Sequence, residues 1–511
     1  MAAQQILRGD HNGIPVMWSQ IDGTFDGSLI FGVGVQDEIP IKAGITHLVE
    51  HLVMSQVGDL ATTHNAVTDA ENVTFVAQGP AELVAEFLNR VGASISAIRD
   101  IAHGVVAAEV AHIAAELGEL NGRTGTGPFL ERYGATTYGL LDLGAPAHQY
   151  LTLADVVAWA DAYFHAGNAV IALSGPVPEN LDIVLPPARP IPQRRTPTRL
   201  EHRRNGWLGG GQVPVALSLD LTTDNREARF AALNCLDIAL FDELRTIRHL
   251  VYSVKSLTLY PEPDTAVVTY VLDPRPENIL ETVDAALSVL RGIADSGPAH
   301  EVFDKFQERW RVAEADSDAL YSNVLGSAAR WVRIGVEPMG LGQQTSQSAG
   351  PAEVRDVVSR ALTSLLVSFA PIETTLTADQ ITDRLGLPHA TDPRNFYESG
   401  KPPNSLARLR DSDMVSFSPK RSSRMKGQRL VIDAECIAWF AEGYGVHELR
   451  WDRLVLAGHC AHCGLWCLTD AHGAGMYIQA AWWRGSPMLL AKINEHVPLP
   501  NRYPLMHAGW H

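Results

Sequence analysis

Cysteine is scarce in this chain: five residues in 511, an odd number. That count excludes the disulfide framework of a small secreted scaffold and points to a reducing compartment, where clustered thiols suit a metal better than a disulfide. Long apolar runs are missing too. No uninterrupted stretch reaches the roughly 18 residues that a membrane-spanning helix needs. The opening MAAQQILRGDHNGIPVMW has no basic start followed by an apolar block, so no signal peptide is expected. Positive charge is in deficit, with 41 Lys and Arg against 58 Asp and Glu and a formal net charge of −17. Such a balance argues against general nucleic-acid binding and is compatible with basic peptide substrates. What is present is ordinary: 46% apolar and 19% charged residues, at a length that suits roughly three domains. A cytoplasmic protein of several domains is the expectation.

Strand and helix patterns alternate over residues 1–184. SLIFGVGVQ, NVTFVAQG and NAVIALSG read as strands. GITHLVEHLVM, PAELVAEFLNRVGASI, IAHGVVAAEVAHIAAELGEL and LADVVAWADAYF read as helices, the last started by Thr152 with Asp155 three residues on. A Pro/Arg-rich stretch, residues 185–205, reads as a solvated linker. Residues 206–373 then repeat the earlier order of strand, long helix, two strands, helices and a final strand. Residues 374–425 are polar and proline-containing, a second linker, and residues 426–511 break into short strands between turn residues. The expected fold class is therefore α+β: two homologous α/β-sandwich domains in tandem, followed by a small all-β domain, a barrel or a sandwich.

One helix carries an unusual load. His47, Glu50 and His51 share a face at i, i+3 and i+4, while Leu48, Val49, Leu52 and Val53 serve the core. Two imidazoles one turn apart can hold Zn²⁺, and a neighbouring glutamate that is not a ligand can take a proton from water. Chance produces such a trio often enough that supporting residues are needed. Glu109 and Glu116, seven apart on an Ala-rich helix, offer a third donor. A solvated acidic face is the plainer alternative.

His47-Leu-Val-Glu50-His51 is the inverted zinc motif, and the chain resembles the insulinase/pitrilysin family of zinc metallopeptidases. Four stretches carry the resemblance: that motif, Glu109 with Glu116, Asn65-Ala-Val-Thr68, and Leu244-Arg245 followed by Tyr252, over roughly residues 15–372. The segment between His51 and Asn65 is shorter than the family commonly shows.

The resemblance implies a zinc-dependent endopeptidase with one Zn²⁺ per chain on His47, His51 and Glu116, and Glu50 as the proton carrier. It further implies Glu109 supporting the site from behind and Tyr252 and Arg245 reaching the bound peptide. The peptide would add as a strand beside the residues after Asn65, namely Val73, Thr74, Phe75 and Val76. Two such domains imply a dimer, with itself or with a related chain. The alternative is a non-hydrolytic peptide-binding or partner subunit of a heterodimeric peptidase, which would have no need of Glu50.

The C-terminal strands and closing helix look weakly like a pleckstrin-homology barrel, outside the usual family plan. Cys460, Cys463 and Cys467, with His459 or His462, offer a possible structural metal knot, against the plainer reading of reduced core thiols. The basic run Lys420, Arg421, Arg424 and Lys426 reads as a solvated linker.

Overall fold

A computed structural model of the chain describes residues 4–120, 127–341, 349–390, 414–421, 425, 427–441 and 445–505. The first sheet uses β1 (Leu7–His11), β2 (Ile14–Trp18), β3 (Phe25–Phe31), β4 (Thr63–Thr68), β5 (Val73–Gly79) and β6 (Ala169–Leu173) in the order β1-β2-β6-β3-β5-β4. Asn12 and Gly13 make the β1–β2 turn, both at positive φ, 53° and 80°. A type I′ hairpin requires that backbone, and Asn-Gly supplies it.

Strand alternation sends Leu29, Phe31, Val73 and Phe75 into one core with α1 (Ile45–Val57), α2 (Ala81–Ser96) and α3 (His103–Leu120). Short helices α4 (Phe129–Tyr133) and α5 (Leu140–Leu143) follow, and α6 (Leu153–Tyr163) adds Val156 and Ala160 to the same core. Met17, Ile30, Val170 and Ala172 point to the other face. That face is covered from far along the chain, as described below.

The second sheet uses β7 (Gly206–Gly209), β8 (Val215–Thr222), β9 (Val251–Glu262), β10 (Thr265–Pro274) and β11 (Leu366–Phe369), ordered β7-β11-β8-β10-β9. Leaving out β1, the two sheets share one strand order. Each has one parallel pair in the same place, β2 with β6 and β7 with β11. Around the second sheet lie α7 (Arg226–Phe241), α8 (Ile279–Ser296), α9 (His300–Ala313), α10 (Ser317–Ile334), α11 (Pro351–Ala361) and α12 (Ala378–Leu385). Val324 and Ala328 of α10 cross over to cover the open face of the first sheet, and the Tyr321 hydroxyl donates to Ala172 O at 3.2 Å. Arg333, at the end of α10, bonds Asp37 (2.9 Å) and the carbonyl of Glu71 (2.6 Å). Both partners belong to the first unit, so the two units are held by buried polar bonds as well as apolar contact.

The two expected linkers fare differently. Residues 185–200 are largely exposed and hold no helix or strand, as expected, but they are anchored: Leu185 and Ile191 pack on the first core and Arg194 donates to Arg333 O (2.8 Å). Within 374–425, α12 is an ordered helix whose Ile381 and Leu385 enter the second core. Residues 391–413 lie outside the described residues.

Of the two forms expected for the C-terminal unit, the strands take the sandwich rather than one closed barrel: they make two four-stranded sheets. These are β12 (Val415–Phe417), β13 (Gln428–Ile432), β14 (Cys436–Ala441) and β15 (Gly445–Arg450), then β16 (Leu454–Cys460), β17 (Leu465–Asp470), β18 (Gly475–Gln479) and β19 (Arg502–Pro504). They share one core with the helix Ser486–His496, through Ile437, Leu449, Trp466, Leu489 and Ile493 among others. No helix of the described residues is long and apolar enough to cross a membrane.

Candidate metal centre

The α1 sequence ITHLVEHLVMSQV buries Ile45, Leu48, Val49, Leu52 and Val53, which fixes the rotation of the helix and turns His47 and His51 outward. Its N-terminus has no side-chain cap of its own. Glu38 fills that role from upstream, accepting from Gly44 N at 2.7 Å and Thr46 N at 2.9 Å. Burial pushes the Glu38 carboxyl up to about 7. Helix α3 lies across α1 and brings Glu109 and Glu116 to the same place, two turns apart.

His47 Nε2 and His51 Nε2 are 3.1 Å apart. Glu116 Oε2 lies 3.8 Å from the first and 3.6 Å from the second. Donors about 2.0–2.1 Å from a tetrahedral ion sit about 3.4 Å from one another, so these spacings suit zinc. Among the described residues, this is the one group of three His, Cys, Asp or Glu donors close enough to share an ion. Burial, then the neighbouring His51, pushes His47 down to about 4, which keeps its imidazole neutral and its lone pair free. Glu109 Oε2 stands 3.2 Å from His51 Nδ1, behind the ring, and equally close to His112 Nδ1.

Glu50 is 7% exposed, with Oε2 3.7 Å from His47 Nε2. The Thr68 hydroxyl donates to the same oxygen at 3.2 Å. Burial raises the Glu50 carboxyl above its ordinary range. These groups line a cleft of about 490 Å³ together with Met54, Ser55, Asn65, Ala66 and Val67.

The strand facing that cleft differs from expectation. Val73, Thr74, Phe75 and Val76 belong to β5, which is hydrogen-bonded on both sides, to β3 and β4. Phe75 and Val73 are core residues, and none of the four has a free ladder for a peptide. The open edge is β4, with Asn65 on it. Thr68 and His112 were missed as contributors. Each stands near a singled-out residue, Thr68 closing the Asn65 stretch and His112 three residues after Glu109.

Arg245 and Tyr252 come together on the second unit, the guanidinium 5.0 Å from the ring centre. Arg245 sits on a π-helical turn, Asp242–Ile247, a geometry often found at functional positions. Tyr252 is 78% exposed, and neither residue lines the metal cleft.

Among the described residues, Cys460, Cys463 and Cys467 are not part of a group of three donors close enough to share an ion. Hairpin register sets Cys460 opposite Leu465 and Cys467 opposite Gly458, on neighbouring strands, and the Cys460 and Cys463 thiols hydrogen-bond to each other. Burial pushes Cys467 up to about 11, the setting of a reduced core thiol, whereas hydrogen bonds from Cys463 push the Cys460 thiol down. His459 stacks on Trp466 at 4.3 Å. Of the basic run, Lys420 and Arg421 are exposed, while Arg424 and Lys426 lie outside the described residues.

No protein-family model matches the chain, and no curated protein does. Solved structures do. A chain of complex III from Candida albicans, solved with Inz-5 bound, is 15% identical, with 73% of this chain and 98% of that chain covered and a TM-score of 0.59. A peptidase M16 inactive domain from Pseudomonas fluorescens is 16% identical over 73% and 99%, with a TM-score of 0.56. A protease from Helicobacter pylori is 16% identical over 72% and 99%, with a TM-score of 0.52. The chain thus has the fold of the pitrilysin-like M16 peptidases. One of these neighbours is a protease and another an inactive domain, so activity has to be argued from side chains.

Proposed function

We propose that this chain is a cytoplasmic zinc endopeptidase acting on peptides or small unfolded proteins such as leader peptides. The observation that supports it most is the donor trio of His47, His51 and Glu116 with Glu50 alongside. Zinc bound there would supply Lewis acidity to a carbonyl and to water. Glu50 is the proton carrier: its raised carboxyl gains and releases a proton closer to neutrality, and the Thr68 hydroxyl holds its orientation. Glu109 holds His51 by Nδ1, leaving Nε2 to face the other donors.

A peptide would pair with the open edge of β4 along Asn65–Thr68, with main-chain bonds that depend little on sequence. Arg245 and Tyr252 stand outside the cleft, and in this reading they meet a peptide held by a partner, either a second copy or a related chain. The matched strand orders of the two sheets support a duplicated unit.

The test is to load the full chain with zinc and follow cleavage of an unfolded peptide mixture by mass spectrometry. Glu50→Gln should keep the metal and lose about 10²–10⁴-fold in rate. One zinc per chain with no cleavage by wild type, alone or mixed with a related chain, would instead favour the non-hydrolytic subunit. The placement of Arg245 and Tyr252 away from the cleft is what keeps that second reading in view.

A further inference from the structure

A cavity of about 340 Å³ opens between α7, α9, α10 and the turn after β9. It shares no lining residue with the metal cleft. Phe230, Leu233, Trp310 and Leu341 give it an apolar body, and the Phe230 and Trp310 rings meet edge-on at 4.5 Å.

Its charge is unbalanced. Arg226, Arg229 and Arg330 line it against a single carboxylate, Glu227. Among the described residues, none of the three arginines has an ion-pair partner. Arg226 donates to Glu337 O (3.1 Å), and Arg229 donates to Thr223 O (3.1 Å) and Pro263 O (2.9 Å). Arg330 stacks 5.2 Å from the centre of the Tyr260 ring. Arg226 and Arg229 also occupy the first turn of α7, where the helix dipole disfavours positive charge. Burial and nearby guanidinium groups push both below the ordinary arginine value. The Trp310 indole N–H is shut off from solvent with no acceptor among the described residues. Three guanidinium groups at an apolar cavity, against the lining carboxylate Glu227 and the nearby Asp264, keep a positive excess that leaves room for an anion from outside.

We propose that this cavity binds a small amphipathic anion: an aliphatic or aromatic body on Phe230 and Trp310, carrying a carboxylate or phosphate held by Arg226 and Arg330. Guanidinium forks suit both head groups, and the volume is that of a small-ligand pocket.

The metal-free full chain tests this by isothermal calorimetry, independently of any zinc chemistry. The probes are octanoate, phenyl phosphate, octanol and inorganic phosphate. Octanoate or phenyl phosphate should bind at one per chain, and which of them binds more tightly assigns the head group. Octanol and inorganic phosphate should be about 10- to 100-fold weaker, the worth of a charge-assisted bond or of the apolar body. Arg330→Met should weaken the tighter probe by a similar factor, and Arg226→Met serves if that variant is not folded. Saturable binding of none of the probes below about 10 mM overturns the proposal. So does inorganic phosphate binding as tightly as phenyl phosphate, or wild-type affinity in folded Arg330→Met and Arg226→Met.

Discussion

Removing Glu109 without touching a metal donor should still cost metal affinity. His51 has two ring nitrogens with different neighbours. Nδ1 is 3.2 Å from Glu109 Oε2, while Nε2 is 3.1 Å from His47 Nε2 and 3.6 Å from Glu116 Oε2. A carboxylate behind Nδ1 keeps the proton on that side and the lone pair on Nε2. In Glu109→Ala the ring can turn and the tautomer is no longer fixed, so zinc should bind about 10- to 100-fold more weakly, or about 1.4–2.7 kcal/mol. Glu109→Gln should lose less, because its amide oxygen still accepts from Nδ1 although the charge is gone. Glu116→Ala removes a donor and should lose more than either. Competition against a chromophoric chelator at fixed pH measures all three, with circular dichroism as the folding control. Wild-type zinc affinity in Glu109→Ala would refute the argument, as would a Glu109→Gln variant no better than Glu116→Ala.

Two further outcomes concern the frame that holds the site. Arg333→Met leaves Asp37 buried with only Arg194, 3.8 Å away, as a cationic neighbour. Breaking a buried pair costs about 3–5 kcal/mol, and the surviving neighbour puts the expected loss near 3 kcal/mol in a urea melt; a loss below about 1 kcal/mol would count against it. Glu38, held near 7 in the fold against an ordinary 4.5, makes stability depend on pH. Its contribution is full below pH 4.5, where both states are protonated, and is lost as pH rises through about 7, because only the unfolded chain releases the proton early. Glu38→Gln should flatten that slope between pH 4.5 and 7, read from urea midpoints across the range.

The metal trio was legible because helix geometry fixes it: His47, Glu50 and His51 share a face by their spacing alone, and Glu109 and Glu116 follow two turns apart. Strand β4 was not. THNAVT alternates exposed and half-buried positions with no buried one, so there was no apolar face to read, and the open edge was assigned one strand too late. Helix α12 did leave a signal, the Thr377 and Gln380 capping box, which the surrounding prolines and polar residues obscured. The reach of α10 onto the first sheet could not be read at all, since periodicity gives a helix its apolar side without saying which sheet that side will cover. The thiol cluster is a related case. Short spacing does bring Cys460 and Cys463 together, but sequence spacing alone does not say whether a third donor comes within reach, and among the described residues none does.

Zinc K-edge absorption on the chain loaded with one equivalent of zinc tests the central claim most directly. His47, His51 and Glu116 should give nitrogen and oxygen scatterers at about 2.0–2.1 Å with imidazole outer-shell features and no sulfur. The nitrogen signal should fall in His51→Ala. Sulfur scatterers at about 2.3 Å would move the metal to the cysteines. A spectrum unchanged in His51→Ala would remove the ion from α1 altogether.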